Sequence, residues 1–168
     1  MSTVYVISGP PAVGKSTVSQ LLSESISSSA LIHADEIYHM TVGGHLPPWK
    51  SEFQLNLLWD NVSSLTTNFI HSGFDVVIDA VAFPKDIEKL HRFIACDMLK
   101  YVILLSDEKT LMLRDENRSN KMGNRCIVVL REFMDSNPET GYLLYTDFKT
   151  PEQVVNAILQ EKSFQYHA

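Results

Sequence analysis

The sequence predicts an α/β protein in which helices cover both faces of a parallel sheet. Short apolar runs alternate along the chain with segments of helical periodicity. Most of these runs are continuously apolar, which is typical of strands buried on both faces of a parallel sheet. A length of 168 residues, with 45% hydrophobic and 20% charged residues, fits one folded domain over residues 1–168.

The apolar runs are the predicted strands. They are TVYVIS (3–8), ALIHA (30–34), DVVIDAVAF (75–83), LKYVILL (99–105) and, more weakly, YLLYT (142–146). Because a helical segment separates each run from the next, they indicate consecutive βαβ units.

The helix between the second and third strands has the clearest periodicity. Its apolar residues recur at intervals of three and four and are Leu55, Leu58, Val62, Leu65 and Phe69. They are therefore expected on one face, packed against the sheet. The other predicted helices cover residues 16–27, 84–94, 107–117, 124–135 and 152–160.

A glycine-rich motif follows the first predicted strand. GPPAVGKST, residues 9–17, matches the phosphate-binding pattern G-x-x-x-x-G-K-[ST]. The strand before the motif and the helix after it provide the context that this pattern requires. We therefore predict a phosphate-binding loop, or P-loop.

The chemistry of the motif predicts how the loop would hold ATP. Its backbone N–H groups can point into one concavity, with the positive end of a helix dipole behind them. Lys15 is expected to reach the β- and γ-phosphates, and the Ser16 hydroxyl is expected to bind Mg²⁺. The predicted nucleotide-binding residues of the loop are Gly9, Ala12, Val13, Gly14, Lys15, Ser16 and Thr17.

Two carboxylates follow or end predicted strands at the edge where the P-loop opens. Asp35 comes just after the second strand, and Asp79 ends the run DVVID. Asp35 is predicted to act on an acceptor hydroxyl or to hold Mg²⁺ through water; the alternative is a helix N-cap. Asp79 is predicted to support Mg²⁺, because a buried carboxylate needs a partner or a metal; a structural hydrogen bond is the alternative.

The charged segment RDENRSNKMGNR, about residues 114–125, is predicted to be a mobile lid. Arg114 and Arg118 are one helical turn apart, so we expect them on one helix face, closing on the triphosphate. Arg118 would neutralise charge as the phosphoryl group moves. The alternative is that these arginines pair with Asp115 or Glu116 at the surface.

Overall charge and cysteine content limit the partners. The net charge of −6 argues against nucleic acid or an anionic membrane surface as a partner. Cys96 and Cys126 lack the spacing of a metal or redox motif and are expected to be core residues. No apolar run approaches the length of about 18 residues that a membrane span needs, and Met1 leads directly into a strand pattern. We therefore expect a cytoplasmic protein.

Taken together, the motifs resemble a family of small P-loop kinases. GPPAVGKST, HADEIYHMTVGG with PPW, DVVIDAVAFP and RDENRSNKMGNRC are similar, over nearly the whole chain, to gluconate kinase, shikimate kinase and chloramphenicol phosphotransferase-like proteins, and most of all to bacterial gluconate kinases. The resemblance implies a P-loop NTPase fold with strand order 2-3-1-4-5, a lid after the fourth strand, and ATP with Mg²⁺ as donor. It also implies that Asp35 matches the catalytic base of several relatives.

The acceptor is less constrained. Relatives that take anionic acceptors commonly hold them with an arginine after the second strand, but between Asp35 and Asp75 this chain has only Lys50. A neutral hydroxylated compound therefore fits better than one that carries a carboxylate or phosphate. Residues of the Gly- and Pro-rich loop and the helix that follows it could line its pocket, namely His39, His45, Trp49 and Phe53. The alternative for each of them is packing within the loop or simple surface exposure. Arg125 or Arg131 could still bring in a charge for an anionic acceptor.

These observations predict an ATP-dependent small-molecule kinase that transfers the γ-phosphoryl group to an acceptor hydroxyl. Lys15, Asp35 and Arg118 are the predicted catalytic residues, and Ser16 and Asp79 the predicted metal-binding residues. The alternative is an ATP-binding sensor without phosphotransfer. A simple ATPase is the weaker third option, because no water-positioning residue stands out.

Overall fold

A five-stranded parallel sheet lies at the centre of the computed structural model, which describes residues 2–167. The strands are β1 (Thr3–Ser8), β2 (Ser29–His33), β3 (Asp75–Asp79), β4 (Met98–Leu105) and β5 (Leu143–Tyr145). Their order is β2-β3-β1-β4-β5, and each neighbouring pair is parallel. The predicted fold class and strand order are confirmed.

Helices cover both faces of this sheet. They are α1 (Lys15–Ser25), α2 (Ala34–Tyr38), α3 (Glu52–His71), α4 (Pro84–Phe93), α5 (Glu108–Glu116), α6 (Arg125–Asp135) and α7 (Pro151–Gln160). One buried cluster joins the sheet to α1 and α7, and the other joins it to α2, α3 and α4. α6 contributes Cys126 to the first cluster and Val129 and Phe133 to the second, so it lies across the end of the sheet.

The third strand is shorter than predicted, ending at Asp79 rather than Phe83. Beyond Asp79 the Ala80 amide still donates to the carbonyl of Ile7 in β1 at 3.2 Å, but Ala82 bonds to side chains. The Ser8 and Tyr101 hydroxyls donate to the carbonyl of Ala82 at 2.8 and 2.7 Å, and the Ala82 amide donates to the Ser8 oxygen at 2.9 Å. These bonds satisfy the backbone polar groups of Ala82 without a ladder, so the apolar run continues after the strand stops.

The predicted helices form within two residues of their expected ends, except that α3 extends beyond its apolar stripe and α2 was not predicted as a separate element. α2 has only five residues, too few to show an apolar periodicity. In the part of the chain that the structure covers, no helix is both long enough and apolar enough to cross a bilayer.

Candidate nucleotide and acceptor site

A cavity of about 710 Å³ opens at the carboxyl ends of β2 and β3, beside the P-loop. In an open parallel sheet, ligands usually bind outside the carboxyl ends of the strands. The P-loop contributes to the lining through Pro11, Ala12, Gly14, Lys15, Ser16 and Thr17. Both predicted carboxylates and both predicted lid arginines also line it, namely Asp35, Asp79, Arg114 and Arg118.

The backbone of the P-loop has the conformation that its glycines allow. Gly9 has φ 134°, and a Cβ there would lie 2.3 Å from the carbonyl oxygen of Leu104 in β4. Gly14 has φ 105°, and α1 begins at the next residue without a side-chain cap. The first N–H groups of a helix have no intrahelical partner, so those of Lys15, Ser16 and Thr17 are available to an anion.

Lys15 has only a weak native partner for its charge. Its ammonium donates to the carbonyl of Pro10 at 3.0 Å, and the side chain is half-buried. Burial lowers the pKa of Lys15, while Asp79 and Asp35 act in the opposite direction and Arg118 adds to the lowering. A phosphate group would supply the missing countercharge, because opposite charges nearby favour the protonated amine.

Asp79 lies inside the sheet at the mouth of the cavity. It is buried and pairs in register with Ile7 of β1 and His33 of β2. Its Oδ2 lies 3.2 Å from Nδ1 of His33. This hydrogen bond is the structural role that was the alternative for Asp79. The carboxylate also lines the cavity, so its position is compatible with the predicted binding of Mg²⁺ as well.

Asp35 is the second residue of α2, and its side chain is exposed to the cavity. The N-cap of α2 is His33, without a capping side-chain hydrogen bond. The capping alternative for Asp35 is therefore wrong, and the prediction that it acts on an acceptor is still available.

The lid is held to the P-loop through Arg114. Its Nη1 donates to the carbonyl of Val13 at 3.0 Å and to Oγ1 of Thr146 at 3.4 Å. Arg114 therefore joins α5, the P-loop and the segment after β5, around the space that a nucleotide would occupy.

Arg118 is placed differently from the prediction. α5 ends at Glu116, so Arg118 follows the helix instead of sharing a face with Arg114. The turn is held by Asp115, whose buried carboxylate accepts from the amides of Met122 and Gly123 at 3.0 and 2.7 Å. Nη1 of Arg118 lies 3.9 Å from the same carboxylate, so the predicted surface-pairing alternative holds in part, although Asp115 is not at the surface.

The rest of the cavity is mostly apolar, and most of its residues were not predicted. α3, the segment after β3, and α6 supply Leu55, Leu58, Trp59, Val81, Phe83, Val129 and Glu132. These residues lie on three separate elements, and no motif connects them. Leu55 and Leu58 did appear in the predicted apolar stripe of α3, but as packing residues, and Trp59 was not part of that stripe.

Of the loop residues predicted to line the acceptor pocket, only Trp49 does so. The imidazoles of His39 and His45 instead stack on each other with centroids 5.3 Å apart, and Phe53 is exposed outside the cavity. The loop is fixed by Gln54, whose side chain bonds to the backbone of Gly44 and Leu46. Arg131 also lies outside the cavity, paired with Glu108, whereas Arg125 lies inside it.

The residues present fit ATP with Mg²⁺. Ser16 and Asp79 offer hard oxygen donors on the same cavity, which suits Mg²⁺. Over residues 2–167 no group of three or more His, Cys, Asp or Glu side chains could hold a metal ion. Mg²⁺ in proteins is commonly held by one or two carboxylates together with substrate phosphates and water.

Comparisons with solved structures identify the fold. A sugar kinase from Janibacter sp. superposes with a TM-score of 0.73 at 13% identity, covering 98% of this chain and 96% of the other. A tunicamycin resistance protein from Deinococcus radiodurans gives 0.67 at 16% identity over 94% of both chains. A gluconokinase from Sinorhizobium meliloti gives 0.61 at 18% identity over 94% of this chain and 89% of the other.

The chain therefore has the α/β fold of the small P-loop kinases, as the motif resemblance predicted. No protein-family model matches the sequence. No curated protein matches it either. At identities this low the structural likeness fixes the fold, and the function has to be argued from the site.

Proposed function

We propose that this protein is an ATP-dependent kinase that phosphorylates a hydroxyl group of a small molecule. The observation that carries the proposal is that one cavity contains the P-loop, the carboxylates of Asp35 and Asp79, and an additional apolar region. A nucleotide sensor would need the P-loop, but it would not need an exposed carboxylate beside a second binding region.

The P-loop and Lys15 would hold the triphosphate of ATP, with Arg114 and Arg118 closing over it from the lid. ATP with Mg²⁺ supplies the transferable phosphoryl group, and Ser16 and Asp79 are the residues that would hold the metal. Asp35 would accept the proton of the acceptor hydroxyl as that oxygen attacks, and the basic side chains would stabilise the developing charge.

The acceptor would occupy the apolar region between α3 and α6. We propose a neutral hydroxylated compound, because the walls are mostly aromatic and aliphatic and the guanidinium of Arg125 in them is paired with Glu132. Trp49 and Trp59 provide flat apolar surfaces for a ring, and the acceptor hydroxyl would be directed toward Asp35.

The proposal is tested by measuring ADP release with ATP and Mg²⁺ across a panel of sugars, sugar acids, nucleosides and hydroxylated antibiotics. A positive compound should lose about 10²–10⁴-fold in rate with Asp35→Asn, the range for a positioned general base. Glu36→Gln is the matched control, since Glu36 is the adjacent exposed carboxylate and does not line the cavity.

Equal activity in Asp35→Asn and the wild type would remove Asp35 from the mechanism. Tight ATP binding without turnover of any compound would contradict the kinase proposal and favour the sensor.

A further inference from the structure

One face of α6 points into the proposed acceptor region. Arg125, Val129 and Glu132 follow one another at intervals of four and three residues, and all three line the cavity. This spacing places their side chains on one helix face. The chain therefore presents an arginine and a glutamate to the acceptor, two turns apart, with an apolar side chain between them.

Arg125 already contacts two other side chains of the protein. The guanidinium carbon of Arg125 lies 4.4 Å from the ring centroid of Trp49, which lies in the segment before α3 and also lines the cavity. Its Nη2 lies 3.6 Å from Oε1 of Glu132. The first is a cation–π contact, and the second places a carboxylate beside the guanidinium charge.

The other charges of this region also balance. Lys85 lies at the rim at the start of α4, next to Asp86, which also lines the cavity. Lys15, Arg114 and Arg118 belong to the P-loop and the lid and would be used by the triphosphate. Besides Asp35, the acceptor region thus carries two basic and two acidic side chains, so it has no net positive charge to attract an anion.

We propose that Glu132, together with Trp49, determines acceptor specificity by occupying Arg125 and thereby excluding anionic acceptors. This inference rests on the proposed function, because it assigns the substrate class of the same site. An acceptor carboxylate would have to displace Glu132 from Arg125 and would then lie beside that second carboxylate, which is a repulsive arrangement of the kind that gives specificity.

The test replaces Glu132 with a neutral residue of the same size. In Glu132→Gln the charge of Arg125 is no longer compensated, so a carboxylate can form the charge-assisted contact that an arginine prefers. We expect the ratio of kcat/KM for an anionic over a neutral acceptor to rise about tenfold or more, tested with D-gluconate against D-glucose and D-glycerate against glycerol. Glu108→Gln is the matched control, because Glu108 forms a similar pair with Arg131 away from the cavity.

A binding measurement separates failure of this inference from failure of the proposed function. Calorimetric titration of D-gluconate into protein loaded with a non-hydrolysable ATP analogue should show at least tenfold tighter binding to Glu132→Gln than to the wild type. The double variant Arg125→Gln/Glu132→Gln should lose that gain.

If no compound is phosphorylated by the wild type, the proposed function fails while the titration still decides the role of Glu132. If the wild type uses the anionic member of each pair as well as the neutral one, or if Glu132→Gln changes neither the ratio nor the binding, the inference about Glu132 is overturned.

Discussion

The two ends of the cavity are built in different ways. The phosphate end is a single stretch of backbone, residues 9–17, in which the N–H groups and one lysine provide the binding chemistry. The acceptor end is assembled from side chains of segments that are far apart in the sequence, namely the loop before α3 with α3, the segment after β3 with the start of α4, and α6.

The phosphate end binds a group that all nucleoside triphosphates share, whereas the acceptor end recognises one class of compound. Any nucleoside triphosphate presents the same phosphates, so backbone N–H groups and a fixed glycine pattern suffice to bind it. An acceptor is recognised by shape and charge, which side chains on separate elements can change without disturbing the sheet. Variants at the phosphate end should therefore affect every acceptor, and variants at the acceptor end should affect only some.

The largest expected effect is that of Lys15→Ala. Loss of the ammonium should lower phosphotransfer at least about 10³-fold for every acceptor, because it removes a charge that is aimed at the transferring group. The melting temperature should stay near that of the wild type, since Lys15 makes one hydrogen bond, to Pro10. Lys109→Ala, on the exposed side of α5, is the control. Turnover of Lys15→Ala at the wild-type rate would remove the assignment of the P-loop.

Gly9→Ala should lower the stability of the fold, in addition to disturbing the P-loop that binds the nucleotide. The added Cβ would lie 2.3 Å from the carbonyl oxygen of Leu104, at φ 134°, so we expect the free energy of unfolding to fall by about 3 kcal/mol. Gly73→Ala is the matched control, because its φ is 84° but nothing lies within 4 Å of the new Cβ, and it should cost about 1 kcal/mol. Chemical denaturation measures both, and equal losses would show that the approach of Gly9 to β4 is unimportant.

Arg114→Ala tests the connection between the lid and the phosphate end. The substitution removes the contacts to Val13 and Thr146, and we expect kcat/KM to fall about 10²-fold with all acceptors. Arg131→Ala removes only an exposed pair with Glu108 and should change kcat/KM less than about twofold. A similar loss in both variants, measured by ADP release, would mean that Arg114 has no special role.

The smallest of these effects belongs to the acceptor end. Leu55→Ala removes part of the apolar wall, so KM for the acceptor should rise about tenfold while ATP affinity is unchanged. Leu57→Ala, on the same helix but outside the cavity, should leave both values near those of the wild type. A change in ATP affinity with Leu55→Ala would show that the two ends are not separate.

The same contrast explains what could be predicted from the sequence. The strand order followed from a motif resemblance, and the strands and helices followed from periodicity, because both signals are local and repeated. It could not be predicted that α5 ends before Arg118, because the turn there is held by hydrogen bonds from the amides of Met122 and Gly123 to Asp115. His39, His45 and Phe53 do not line the cavity, which agrees with the alternative of loop packing or surface exposure. No periodicity in the loop or at the first residues of α3 could have shown the direction of these side chains.

Glu132 and Trp59 were missed for a related reason. Each belongs to a helix whose position was predicted, but only the packing of α3 and α6 at the end of the sheet brings them to one cavity. Long-range packing of this kind leaves no short pattern in a single sequence.

Phosphoryl transfer to an acceptor can be observed directly by phosphorus NMR of the wild type with ATP, Mg²⁺ and the best acceptor of the panel. We expect the γ-phosphate resonance of ATP to be replaced by that of a phosphate monoester, and Asp35→Asn to slow this change. Appearance of inorganic phosphate alone would indicate an ATPase, and an unchanged ATP spectrum despite tight binding would indicate a sensor; either result would contradict phosphoryl transfer to an acceptor hydroxyl.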